Sequence, residues 1–162
     1  MNDLELLLRC VKLVVFDFDG VFTDNRVWVN EQGEEMLAFS RSDGLGLRRL
    51  DEVGVDYLIV STEPNQIVGA RAAKLGAACV QGVPDKLAVV RAESERRGIA
   101  LDEVAYVGND VNDAECLSAV GLPIVPADAW PEVRPLARWV LERPGGGGCV
   151  REVCDAVRSA RA

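Results

Sequence analysis

The sequence predicts an α/β domain, a mostly parallel sheet with helices on both faces. Three observations carry this. Apolar runs at 12–17, 55–60, 104–107 and 122–125 are rich in Val, Leu, Ile and Phe, as strands covered on both faces require. Longer stretches with helical signals separate them, punctuated by Pro64 near one start and by Gly54, Gly76 and Gly98 at the ends. Strands that alternate with helices pair in parallel, because each return passes through a crossover.

The elements follow in order. Residues 1–10 read as a short helix, with Leu4, Leu6, Leu7 and Leu8 as its apolar side. The strand at 12–17 stops on Asp17-Phe18-Asp19-Gly20. Residues 26–29 alternate polar and apolar, 30–33 make a turn, and 35–40 return as a partner strand. This is a β-hairpin inserted after the first strand. Asp43-Gly44 opens a helix that ends at Gly54, and 55–60 is the second buried strand. A helix runs from Pro64 to about Leu75, a short strand covers 78–80, and a helix covers 84–97. After the strand at 104–107, Gly108 to Asp113 lead into a helix through Ala119. A short strand at 122–125, a short helix at 131–136 and a last strand at 137–141 precede a glycine loop at 145–148. The terminal helix, from Val150 to about Ser159, places Val150, Val153, Cys154 and Val157 on one side.

Composition narrows the function classes. A length of 162 residues fits one domain with a sizeable core. The net charge of −8 argues against a nucleic-acid partner. No apolar run approaches the ~20 residues of a membrane span. Met-Asn-Asp-Leu-Glu lacks the basic region of a signal peptide, so a cytoplasmic protein is expected. Five cysteines form no C-x-x-C pair and read as reduced, packed thiols. There is no histidine. Acid–base chemistry must therefore fall to Asp, Glu, Lys, Cys or Tyr.

Ligands of such a Rossmann-like sheet bind outside the carboxyl ends of its strands. Four polar clusters reach that edge: Asp17 with Asp19, Ser61 with Thr62, Lys86, and Asn109 with Asp110 and Asp113. A strand has a period of two, so Asp17 and Asp19 can converge, which calls for a cation between them. Each cluster has a structural alternative. Ser61 or Thr62 can cap the next helix instead of holding a phosphate. Lys86 can be a solvated lysine, although a cation in a first helical turn opposes the macrodipole and invites an anion. Asn109 or Asp110 alone can be an N-cap, whereas with Asp113 they read as a metal site. Together the clusters describe phosphoryl transfer. Asp17 is the nucleophile, Mg²⁺ the cation, Ser61 and Lys86 the phosphoryl holders, and Asp19 the acid–base group.

Asp17-Phe-Asp19-Gly-Val-Phe-Thr23, then Ser61, Lys86 and Gly108-Asn109-x-x-x-Asp113, resemble the haloacid dehalogenase (HAD) superfamily of phosphatases in order and across almost the whole chain. The length leaves no room for a cap domain. The hairpin, Asp85-Lys86-Leu87, Val125-Pro126-Ala127-Asp128-Ala129 and the glycine loop before Val150-Arg151-Glu152 resemble the capless branch. That branch holds phosphatases of 3-deoxy-D-manno-octulosonate 8-phosphate and of nine-carbon sialic-acid-type 9-phosphates, and a domain of some acylneuraminate cytidylyltransferases.

The resemblance implies Mg²⁺ held by Asp17, Asp19, Asn109 and Asp113, and substrate held by Thr23, Ser61, Thr62, Glu63 and Lys86. It also implies a homotetramer whose neighbours help close the site. The chain departs from the family in Asn109, where Asp is usual, and in Thr62, where Gly is usual. Glu63, Ser42 and Gly147 stand where the eight-carbon branch tends to carry arginine, which favours a nine-carbon or related acidic sugar. Asn109 and Thr62 also motivate a rival reading, a weak or inactive domain that supports oligomerisation. A phospho-accepting receiver domain fits less well, because Asp56 starts its strand instead of ending it.

Overall fold

A computed structural model describes residues 3–161. It contains helices α1 (Asp3–Cys10), α2 (Ser42–Glu52), α3 (Gln66–Leu75), α4 (Lys86–Arg97), α5 (Ala114–Ala119) and α6 (Cys149–Arg161). The strands are β1 (Leu13–Phe16), β2 (Trp28–Val29), β3 (Glu35–Met36), β4 (Asp56–Val60), β5 (Ala78–Val80), β6 (Val104–Val107), β7 (Leu122–Val125) and β8 (Trp139–Val140). Residues 1 and 2 of the expected first helix lie outside the described residues.

Six strands form one parallel sheet in the order β5-β4-β1-β6-β7-β8. β1 sits inside it, with Leu13 level with Asp56 on one side and Val104 on the other. The period of two divides β1 between two cores. Val14 and Phe16 pack with residues of α1, α2, α3 and α6, including Leu8, Leu47, Val68 and Val153. Leu13 and Val15 pack with Val90 of α4 and Leu117 of α5. All four β1 residues are buried, which explains why the run carries no polar side chain until Asp17.

The chain stays buried after β1. Phe18 stacks on Phe22 at 5.8 Å, and Phe22 meets Phe16 edge-on at 5.6 Å. The glycine loop closes over this segment. Gly146 N–H donates to Val21 C=O at 3.0 Å, and a Cβ at Gly145 would lie 2.1 Å from Gly20 O. Only glycine allows backbones to approach so closely.

Several boundaries differ from expectation. The hairpin pairs only Trp28–Val29 with Glu35–Met36, because Leu37 and Phe39 leave the ladder for the core, with Phe39 5.6 Å from Phe18. α3 starts at Gln66 instead of Pro64, capped by Asn65, whose Oδ1 accepts from Ile67 N–H at 3.0 Å. α4 starts at Lys86, capped by Asp85. The helix expected at 131–136 is one 3₁₀ turn, Arg134–Leu136. Another 3₁₀ turn, Val111–Asp113, precedes α5.

Candidate active site

β1 delivers Asp17 to the carboxyl edge of the sheet. Its N–H still bonds Val107 O at 2.9 Å, so the ladder with β6 fixes its backbone. Its side chain is 7% exposed. Lys86 Nζ lies 2.8 Å from Asp17 Oδ1 and 2.8 Å from Asp113 Oδ1. Lys86 is therefore not a solvated lysine. α4 begins with it so that the ammonium can enter between two buried carboxylates.

One cation between two acids leaves a surplus negative charge, and the donors decide which acid carries it. Asp113 Oδ1 accepts from Lys86 and, at 2.6 Å, from Tyr106 Oη. Its Oδ2 accepts from the N–H groups of Asn109 at 2.9 Å and Asp110 at 3.3 Å. Asp113 thus accepts from four donors, two on each oxygen. Asp17 is left as the surplus acid. Burial and then the Asp113 charge push it up to about 8, against the pull of Lys86. Burial works to lower Lys86, but the two carboxylates overcome it and raise its pKa. Burial and the Asp113 charge likewise push the Tyr106 hydroxyl well up, so it stays a donor.

Asp19 lies across the turn. Thr23 Oγ1 donates to its Oδ1 at 3.2 Å and accepts from the N–H groups of Gly20 at 3.2 Å and Asn25 at 3.1 Å. Burial raises the Asp19 pKa, and the charges of Glu63 and Glu35 add to this against the Thr23 hydrogen bond. A carboxyl that holds its proton more readily is suited to give it to a leaving group.

Two adjoining cavities meet at Asp19. The inner one, about 80 Å³, is lined by Asp17, Asp19, Asn25, Ser61, Thr62, Asn109, Asp110 and Asn112. The outer one, about 220 Å³, runs under the hairpin past Asp19, Arg26, Glu35, Glu63 and Asn65. Asp19 and Asn25 belong to both.

The donor set at the inner cavity fits a hard divalent cation. One end of the Asn109 amide sits 2.8 Å from the Asp19 carbonyl oxygen and 3.3 Å from Asp17 Oδ2; its nitrogen there donates to both, and its oxygen there would complete a cation site. Mg²⁺ at its usual 2.0–2.1 Å from each ligand spaces neighbouring oxygens by about 2.9 Å. Glycine at 20 permits the approach, since a Cβ there would lie 2.0 Å from Asn109 Nδ2. The oxygens come from one carboxylate, one carbonyl and one amide. Among the described residues no group of three or more His, Cys, Asp or Glu side chains is placed to hold a metal.

Asp17, Asp19, Ser61, Thr62 and Asn109 thus come together, with Glu63 in the adjoining cavity. Two expectations are corrected. Asp113 does not face the cavity, because both of its oxygens are taken by four donors; it orients Lys86 and the 109–110 backbone. Thr23 is fully buried and lines neither cavity; its hydroxyl donates to Asp19. Neither Ser61 nor Thr62 caps α3, so the hydroxyls remain at the cavity. Ser61 Oγ accepts from Glu63 N–H at 3.1 Å, which leaves its own proton to donate. Asn25, Arg26, Asn65 and Asn112 escaped the sequence reading. The signal for Asn25 was its turn-forming company, and its φ of 64° is the left-handed value asparagine tolerates.

No family model matches the chain. The 3-deoxy-D-manno-octulosonate 8-phosphate phosphatase of Yersinia pestis is 36% identical over 152 residues, which covers 93% of this chain and 81% of that protein. The chain belongs to the haloacid dehalogenase superfamily. A putative HAD family hydrolase of Streptomyces avermitilis superposes with a TM-score of 0.88 at 43% identity, covering 90% of this chain and 84% of that one. The octulosonate 8-phosphate phosphatase of Moraxella catarrhalis, solved with magnesium, phosphate and the sugar acid, superposes with a TM-score of 0.94 at 31% identity, over 99% of this chain and 93% of that one. This HAD hydrolase thus keeps the fold of its relatives over nearly its whole length.

Proposed function

We propose that this HAD hydrolase is a Mg²⁺-dependent phosphatase of an acidic sugar phosphate. The observation that carries the reading is Asp19 at the junction of the two cavities. The phosphoryl group occupies the inner cavity and the sugar the outer one, so the scissile oxygen falls beside Asp19.

An Asp17 oxygen attacks phosphorus, the bond to the sugar oxygen breaks, and that oxygen takes the Asp19 proton. Water then attacks the phosphorus of the aspartyl phosphate, gives its proton to Asp19, and releases inorganic phosphate and Asp17. The Ser61 hydroxyl and the third N–H of Lys86 are the donors for the phosphoryl oxygens, with Thr62 beside them. Asp17, the Asp19 carbonyl and Asn109 would hold the cation, which supplies charge neutralisation between nucleophile and phosphoryl group.

The outer cavity favours a nine-carbon sugar acid over an eight-carbon one. Arg26 is the one basic residue in its lining, against Glu35 and Glu63. Arg26 can take a carboxylate, and Glu63 can accept from hydroxyl or amino groups of a longer chain. The exposed hairpin residues Trp28 (72%), Val29 (57%) and Met36 (66%) support assembly with neighbouring copies, which as a homotetramer would cover the outer cavity. All five cysteines are unpaired, in keeping with a cytoplasmic protein. Among the described residues no helix is long and apolar enough to cross a membrane.

The rival reading of a weak or inactive domain rests on Asn109, because a turned amide can donate to Asp17 Oδ2 and occupy the cation's place. One experiment separates the two. Phosphate release is measured from a panel of eight- and nine-carbon sugar acid phosphates with Mg²⁺, in wild type and Asp17→Asn. Mg²⁺-dependent release in wild type alone supports the enzyme. Equal rates in the two proteins overturn it.

A further inference from the structure

We infer that this chain takes up its divalent cation and its phosphate together, and that Asn109 couples the two. The inference rests on the metal role proposed above.

One end of the Asn109 amide is 2.8 Å from the Asp19 carbonyl oxygen and 3.3 Å from Asp17 Oδ2, and with Nδ2 at that end both oxygens receive a hydrogen bond. An amide oxygen at that end would face two other oxygens, so two arrangements satisfy the site. Either a cation sits among them, or the amide turns over and its Nδ2 donates to both oxygens at those same distances. A carboxylate at 109 has no second arrangement, because it carries no donor. Asparagine therefore gives the site a satisfied cation-free state that an entering cation must displace. The displacement is local, since Asn109 is 6% exposed and its backbone is anchored to Asp113 Oδ2 at 2.9 Å.

Charge works in the same direction. A cation arriving alone finds Asp17 already paired with Lys86 at 2.8 Å and a neutral amide at 109. A phosphate arriving alone finds Asp17, Asp19 and Asp110 lining the inner cavity. Each ligand supplies the charge that the other lacks. By linkage, the factor by which phosphate tightens the cation equals the factor by which the cation tightens phosphate.

Calorimetric titration tests this with Mg²⁺ alone, inorganic phosphate alone, and each in the presence of the other. In wild type, phosphate should tighten Mg²⁺ by more than about tenfold, with the reciprocal gain for phosphate. In Asn109→Asp, Mg²⁺ alone should bind about tenfold or more tightly than in wild type, with smaller coupling. The Asn109 side-chain amide protons should exchange slowly in the ligand-free wild type and lose that protection when both ligands are present. This readout and the wild-type titrations decide the matter even if the variant does not fold. A Mg²⁺-dependent phosphatase whose Mg²⁺ affinity ignores phosphate overturns this inference alone. Absence of Mg²⁺ binding in every combination overturns the metal role as well.

Discussion

Thr23 Oγ1 donates to Asp19 Oδ1 across 3.2 Å, and two backbone N–H groups fix the hydroxyl that makes this bond. A threonine four residues beyond an aspartate thereby holds Asp19, the proposed acid–base group, where the two cavities meet.

Thr23→Val keeps the shape and removes the hydroxyl. Asp19 then loses the hydrogen bond that lowers its pKa, so the alkaline limit of kcat/KM should move to higher pH. We expect kcat to fall about 10²-fold with KM little changed. A rise in KM at unchanged kcat, measured by steady-state kinetics across pH, would return Thr23 to a substrate-contact role.

Asp113→Asn leaves an amide to face Lys86, Tyr106 and two backbone donors. An amide oxygen cannot satisfy four donors, and its NH₂ opposes them. Urea denaturation should show a loss of roughly 3 kcal/mol. The same change removes a charge that raises Asp17, so the Asp17 titration should move down. If Asp113 instead ligated the metal, stability without Mg²⁺ would change little and Mg²⁺ affinity would collapse.

Glu63→Arg places a second cation in the outer cavity beside Arg26. The ratio of kcat/KM for an eight-carbon acid phosphate over a nine-carbon one should rise about tenfold or more. Competition assays with both substrates read this ratio directly, and an unchanged ratio removes Glu63 from specificity.

The sheet was legible because β1, β4, β6 and β7 are dense apolar runs whose burial leaves little choice of structure. Asp17, Asp19, Ser61 and Asn109 were legible because strand ends place them at one edge. What failed depends on contacts distant in sequence. The sequence reads Asp113 as part of a metal site with Asn109, but a 3₁₀ turn folds its carboxylate back onto Lys86, 27 residues away. The hairpin was read too long because Phe39 leaves the ladder to pack on Phe18. Asp43 was read as a helix opener, a role that says nothing of how deeply α6 buries it.

That burial yields the last prediction. Asp43 lies in the first turn of α2, where the helix dipole favours a carboxylate. Yet it is 1% exposed, and neither oxygen has a hydrogen-bond partner. Cys149 and Cys154 of α6 lie close by, and the cation that acts on it, Arg71, donates to Ser40 O at 2.8 Å and covers the Phe39 ring. Burial pushes the Asp43 carboxyl up to about 7, with Arg71 offsetting only part of it. The ordinary value for an exposed aspartate is 3.8. The folded state therefore binds the extra proton between those values, and stability is lost as pH rises from about 4 to about 7, then levels off. Asp43→Asn removes this titration. Between about pH 5 and pH 8 the variant should gain on wild type by roughly 1–3 kcal/mol, a Tm shift of about 2–4 °C per kcal/mol. Asp17 titrates in both proteins, so it cancels from the difference. A Tm difference that stays constant over that range would show that Asp43 holds its charge within the fold.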